Sequence, residues 1–229
     1  MTNIENALDG GNVEQVPLWV GIPSGYAELP LEGIAGKLGT AEDVLGDIAT
    51  GDQKAQAHAL IGVLEVFLND LATTGAVYCG IGRHTSPEDD AVVTSTLVVS
   101  HQEYEGTRNP RLLLGDLLST KSEAGEQGQA DLVDVLERPV LFFERVRSMP
   151  TPQFPGQPEV DEDATSPIFQ LEAHIPSEDG SEMALIEFST PFVSHGPEFR
   201  AMIVQMASSV SFEPPQQSDS SSRIQQLLG

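Results

Sequence analysis

One stretch constrains this chain more than any other: "FQLEAHIPSEDGSEMALIEFSTPF", residues 169–192. Phe169, Leu171, Ala173 and Ile175 alternate with Gln170, Glu172 and His174, the period of a strand with one apolar face. "SEDGSE" supplies turn residues, and Met183 to Phe188 reads as a second strand pairing back on the first. Pro197 then opens a helix on which Phe199, Ile203, Met206 and Val210 share a face. By this reading Gln170, Glu172 and His174 lie on the solvent side of a half-buried strand.

The rest of the chain supplies a sheet for this unit to close. "VPLWVGIPSGY" (16–26) reads as a first strand broken at Pro23, Ser24 and Gly25. Thr40 is placed to cap a helix through "AEDVLGD". Ala57, Leu60, Ile61, Leu64, Leu68 and Leu71 recur at three- and four-residue steps before Gly75, which predicts a second helix. Val63 and Phe67 widen its apolar face, so extensive cover is expected. Residues 76–84 and 91–104 flank "TSPEDD" as a hairpin, and Asn109 with Pro110 starts a short helix. Pro139 divides 131–149 into two strands, and the five prolines of 150–167 mark an exposed loop. The fold class is α/β in the α+β sense: an antiparallel sheet with helices packed on its faces. Residues 1–15 read as an N-terminal tail, 16–213 as one domain, and 214–229 as a linker with a short amphipathic tip.

The order of elements resembles the fold family shared by the photosystem PsbP proteins, the Ran-binding Mog protein and the LpqN lipoproteins. The likeness rests on "PLWVGIPSGYAELPL", "TGAVYCGIGRH" and the 169–212 unit. Within that family it is nearest to cytoplasmic actinobacterial proteins, some of which accompany type VII secretion genes. The resemblance implies a PsbP/Mog-like helix–sheet–helix sandwich used in binding or assembly, and it carries no catalytic residues across.

Charge narrows the function classes. Asp and Glu number 35 against 11 Lys and Arg, a formal net charge of −24. Such a field repels phosphate backbones and anionic head groups, so neither nucleic acid nor membrane is an expected partner. The first basic residue is Lys37, no signal-peptide pattern or spanning apolar run is read, and Cys79 is the single cysteine. The chain reads as cytoplasmic.

Few residues suggest chemistry. Cys79 would need a histidine base, and His84 and His101 are the sequence candidates for it, whereas a cysteine in an apolar strand reads first as core. Asp161 and Asp163 begin a calcium-like spacing that reaches Glu172 at the twelfth position, but Ser166 and Pro167 stand where the loop needs glycine, so no metal is assigned. No cofactor motif is present. The expectation is a non-enzymatic module that binds a protein partner, with Phe154 and Val160 of the Pro-rich loop as candidate contacts. One alternative is docking through the tip "RIQQLLG", with Ile224, Leu227 and Leu228 as anchors, similar to peptides that load cargo into encapsulin shells. The other is a hydrolase-like enzyme built on Cys79.

Overall fold

The computed structural model describes residues 2–3, 18–48, 52–151, 161 and 163–214. The strands are β1 (Thr2–Asn3), β2 (Gly21–Ile22), β3 (Tyr26–Glu28), β4 (Ala76–Thr85), β5 (Val92–Glu103), β6 (Gln129–Val135), β7 (Arg138–Pro150), β8 (Thr165–Pro176) and β9 (Glu182–Thr190). The helices are α1 (Ile34–Ile48), α2 (Asp52–Thr73), α3 (Pro110–Glu123) and α4 (Arg200–Ser209), with a 3₁₀ turn at Val193–Phe199 leading into α4.

Seven strands form one antiparallel sheet in the order β3-β4-β5-β9-β8-β7-β6, and β1 pairs separately with β2. The order amounts to two meanders, β3-β4-β5 and β6-β7-β8-β9, joined where β5 meets β9. Short turns join β4 to β5, β6 to β7 and β8 to β9, whereas β3 reaches its neighbour β4 through α1 and α2. Only the passage from β5, mid-sheet, to β6, at the far edge, needs a crossing. The α3 helix makes that crossing, and Asn109 caps it as expected, accepting from the N–H groups of Arg111 (2.9 Å) and Leu112 (3.3 Å). Gly75 ends α2 with φ +81, a conformation that glycine adopts without strain.

Strand alternation separates two cores. On one face Leu97, Val99, Leu171, Ala173, Ile175, Ala184, Ile186 and Phe188 pack against Phe199, Ile203 and Met206 of the closing unit and against Leu18, Val20 and Ile22. Phe188 and Phe199 stack with ring centroids 4.5 Å apart. On the other face Cys79 and Val98 lie under Ile34, Leu38, Ile61 and Leu68 of α1 and α2. Further along that face, Leu141 and Met183 lie under Leu114 of α3.

Three expectations are corrected. The first helix begins at Ile34, so Thr40 is inside it and its hydroxyl donates to the Gly36 carbonyl (3.0 Å); the two early glycines, Gly36 and Gly39, hide the helix in the sequence. The break between β6 and β7 falls at Leu136 and Glu137, both with positive φ, while Pro139 sits within β7 opposite Asp134. And β8 is not half-buried: Gln170, Glu172 and His174 are buried along with their apolar neighbours.

Candidate functional site

The α2 helix carries two apolar stripes. Ile61, Leu64, Leu68 and Leu71 form the inner one, packed into the core shared with Cys79 and Val98. Leu60, Val63 and Phe67 repeat at the same three- and four-residue steps, turned about 90° around the helix from the inner stripe. They are 52%, 55% and 40% exposed, and Val66 beside them is 72% exposed. His58, on the opposite flank of α2, contacts Glu42 of α1, so α1 lies on the far side from the outer stripe. The expected extensive cover of Val63 and Phe67 is therefore absent among the described residues. The sheet takes the inner stripe of α2, and α1 takes the flank opposite the outer one.

The opposite arrangement exists under α3. Glu172, 4% exposed, accepts from Lys121 Nζ (2.7 Å), Arg145 Nη2 (3.1 Å) and His174 Nε2 (2.9 Å). Glu126 accepts from Lys121 (3.2 Å) and from Arg145, and Arg145 Nε donates to Gln170 Oε1 (2.8 Å). Both cations lie against the Phe143 ring, 4.7 Å and 5.6 Å from its centroid. Burial by itself would push the Glu172 carboxyl up, but hydrogen bonds from His174 and Lys121 and their charges bring it down to about 2. Glu187 pairs with Glu172 across β8 and β9, and burial together with the Glu172 charge raises its carboxyl. Five ionisable side chains from α3, the following loop, β7 and β8 thus balance one another and tie α3 to the sheet.

This network absorbs two residues that the sequence assigned otherwise. His174, expected on a solvent face, is buried at 4% exposure beside Glu172. Glu172 is held by cations, while Asp161 and Asp163 are exposed and Asp161 Oδ1 accepts from the Asp163 N–H at 3.4 Å. Among the described residues no group of three or more His, Cys, Asp or Glu is arranged to hold a metal ion.

Cys79 is fully buried, and burial pushes its thiol up to about 11. The pairings Cys79↔Val98 and His84↔Val93 put these two β4 side chains on opposite faces of the sheet. His84 packs between Tyr26 and Phe199 on the α4 side, where burial lowers its pKa. His101 faces Phe212 on that same side and bonds Glu182 at 2.7 Å. The sheet itself therefore stands between the thiol and both candidate bases. Phe154, Val160, Ile224, Leu227 and Leu228 lie outside the described residues.

Sequence reasoning passed over Lys121 and Arg145, though a signal was present. Lys121 continues the Leu114 and Leu117 face of α3, and Arg145 continues the Leu141 and Phe143 face of β7. A cation at the end of an apolar register, on two elements that must cover a strand carrying Glu172, marks an internal ion pair.

Compared with family models, curated proteins and solved structures, the chain matches none of them. No described helix is long and apolar enough to cross a membrane.

Proposed function

We propose that this protein is a binding module that takes up an amphipathic helical segment of a partner protein on the outer stripe of α2. The carrying observation is the exposure of Leu60, Val63, Val66 and Phe67 along one helix, at the spacing by which helices recognise helices. Large apolar side chains lined up in this way on a protein of high charge mark a contact surface. The net charge of −24 selects a partner with cationic residues flanking its apolar face, and disfavours nucleic acid and anionic membrane.

A PsbP/Mog-like sandwich serving an assembly process in the cytoplasm, including type VII secretion, belongs to the same proposal. Its support is the quoted strand and closing-unit residues, together with a mixed sheet-and-helix architecture. Catalysis through Cys79 is the weaker reading, because its thiol faces the α1–α2 core. The test is site-specific photocrosslinking in the producing cell. A photoreactive residue at Val63 or Phe67 should yield one adduct of the same mass, and none at Asp116 on α3. Equal adducts at all three positions, or adducts unchanged when Leu60 becomes Gln, would reject the stripe as the docking surface.

A further inference from the structure

The β6 strand closes one edge of the sheet, and among the described residues nothing pairs with its outer side. An open edge of this kind is normally blunted by charge. Here the two carboxylates of β6 are occupied by the protein's own groups. Asp134 is bound by Arg111 of α3 at 2.5 Å and 2.7 Å, and Asp131 accepts from Gln129 at 2.9 Å. Between them Leu132 and Val133 are 44% and 43% exposed on opposite faces, and Leu136 of the turn is 74% exposed.

The hairpin decides which backbone groups are free. Val135 and Arg138 close a two-residue turn in which Leu136 and Glu137 have φ 49 and 67, the turn whose closing pair is hydrogen-bonded. Alternation from that pair spends the N–H and C=O of residues 135, 133, 131 and 129 on β7. The corresponding groups of Ala130, Leu132 and Asp134 point outward.

We propose that β6 pairs with the β6 of a second copy of this chain, antiparallel about a two-fold axis through Leu132, extending the seven-stranded sheets into one. Charge and side-chain matching select this register. It pairs all seven residues from Gln129 to Val135, setting Leu132 on Leu132, Asp131 on Val133 and Asp134 on Ala130, with no carboxylate facing a carboxylate. Moving the axis by one residue to Asp131 sets Asp131 on Asp131. Moving it to Val133 sets Leu132 on Asp134. The contact is isologous, so it closes at a dimer, and the outward groups of residues 130, 132 and 134 complete one another's hydrogen bonds across the axis. The long-range repulsion of two chains of net charge −24 opposes association, so pairing strengthens with salt.

Sedimentation equilibrium of the full chain over a range of salt concentrations tests this. The wild type is expected to form a dimer whose dissociation constant falls as salt rises. Leu132→Pro removes only an outward N–H, so it should leave the melting temperature within a few degrees and abolish the dimer, whereas Val133→Pro breaks the β6–β7 ladder and the fold with it. The register is read by a matched pair of variants. Val133→Lys sets a cation against Asp131 of the other copy and should tighten the dimer, while Val133→Glu should weaken it at least tenfold relative to Val133→Lys. A monomer at millimolar protein in high salt overturns the proposal, as does a dimer indifferent to Leu132→Pro or equal dimerisation of the two Val133 variants. A monomer that instead takes up an extended Leu/Val-rich peptide at β6 assigns the edge to a foreign strand and overturns self-pairing.

Discussion

Two helices lie on the same face of one sheet and treat it in opposite ways. The α3 helix buries charge: Lys121 reaches down to Glu172, and both side chains of that pair are shielded from water. The α2 helix exposes apolar surface: Leu60, Val63, Val66 and Phe67 point away from the core that Leu68 fills. The difference follows from connectivity. The α3 helix must cross β9, β8 and β7 to deliver the chain to β6, so it covers whatever side chains those strands present, and Glu172 is among them. The α2 helix is one arm of a hairpin with α1 and needs only one stripe to hold its place. Apolar residues beyond that stripe keep 40–72% of their surface exposed, which makes them available for binding.

The most severe way to break the comparison is to unpair the charges under α3. Glu172→Gln leaves Lys121 and Arg145 buried beside a neutral group, and is expected to lower unfolding free energy by about 3–5 kcal/mol, measured by urea denaturation. A loss below about 1 kcal/mol would mean that α3 is held by its apolar contacts alone.

Acid should produce nearly as large a change. The Glu172 carboxyl is held at about 2 against an ordinary 4.5. Its stabilising contribution is therefore complete above about pH 5 and is lost as pH falls toward 2, amounting to roughly 3 kcal/mol in total. Glu187, raised by burial and by the Glu172 charge, acts in the opposite sense and offsets part of the loss. Stability curves of the wild type and Glu172→Gln should converge as pH falls from 5 to 2. Parallel curves would exclude Glu172 as the titrating group.

Smaller changes sharpen the contrast. Asn109→Ala removes the side chain that caps α3 and should cost about 1 kcal/mol in thermal or urea unfolding. Val63→Gln and Phe67→Gln, on the outer stripe, should each shift stability by no more than about 0.5 kcal/mol. A loss of 2 kcal/mol or more at either position would show that the stripe is part of the folded core.

The sequence revealed those features whose cause is local. Alternation in β8, the Asn109–Pro110 start of α3 and the shared face of Ile203 and Met206 on α4 all follow from spacing along a single element. What it concealed depends on the order of strands. Polar residues at alternate positions, as at Gln170, Glu172 and His174, read as solvent-facing unless a crossing helix is known to lie above them. An apolar run, as at Leu60 to Leu71, reads as buried unless the sheet is known to reach only one flank. Cys79 and His84 are five residues apart in one strand, and that odd separation alone places them on opposite faces. The start of α1 was hidden by Gly36 and Gly39, which helix propensity disfavours.

The central claim is that the outer stripe of α2 binds a helix through apolar contact. Its most direct measurement is fluorescence anisotropy of a labelled 18-residue Leu/Lys amphipathic peptide in about 0.5 M salt, where screening suppresses general attraction to an acidic surface. The wild type should retain saturable binding, and the Leu60→Gln, Val63→Gln, Phe67→Gln triple variant should bind at least tenfold more weakly, a difference of about 1.4 kcal/mol or more. Equal affinity of the two proteins, or binding that disappears from both as salt is added, would contradict the claim.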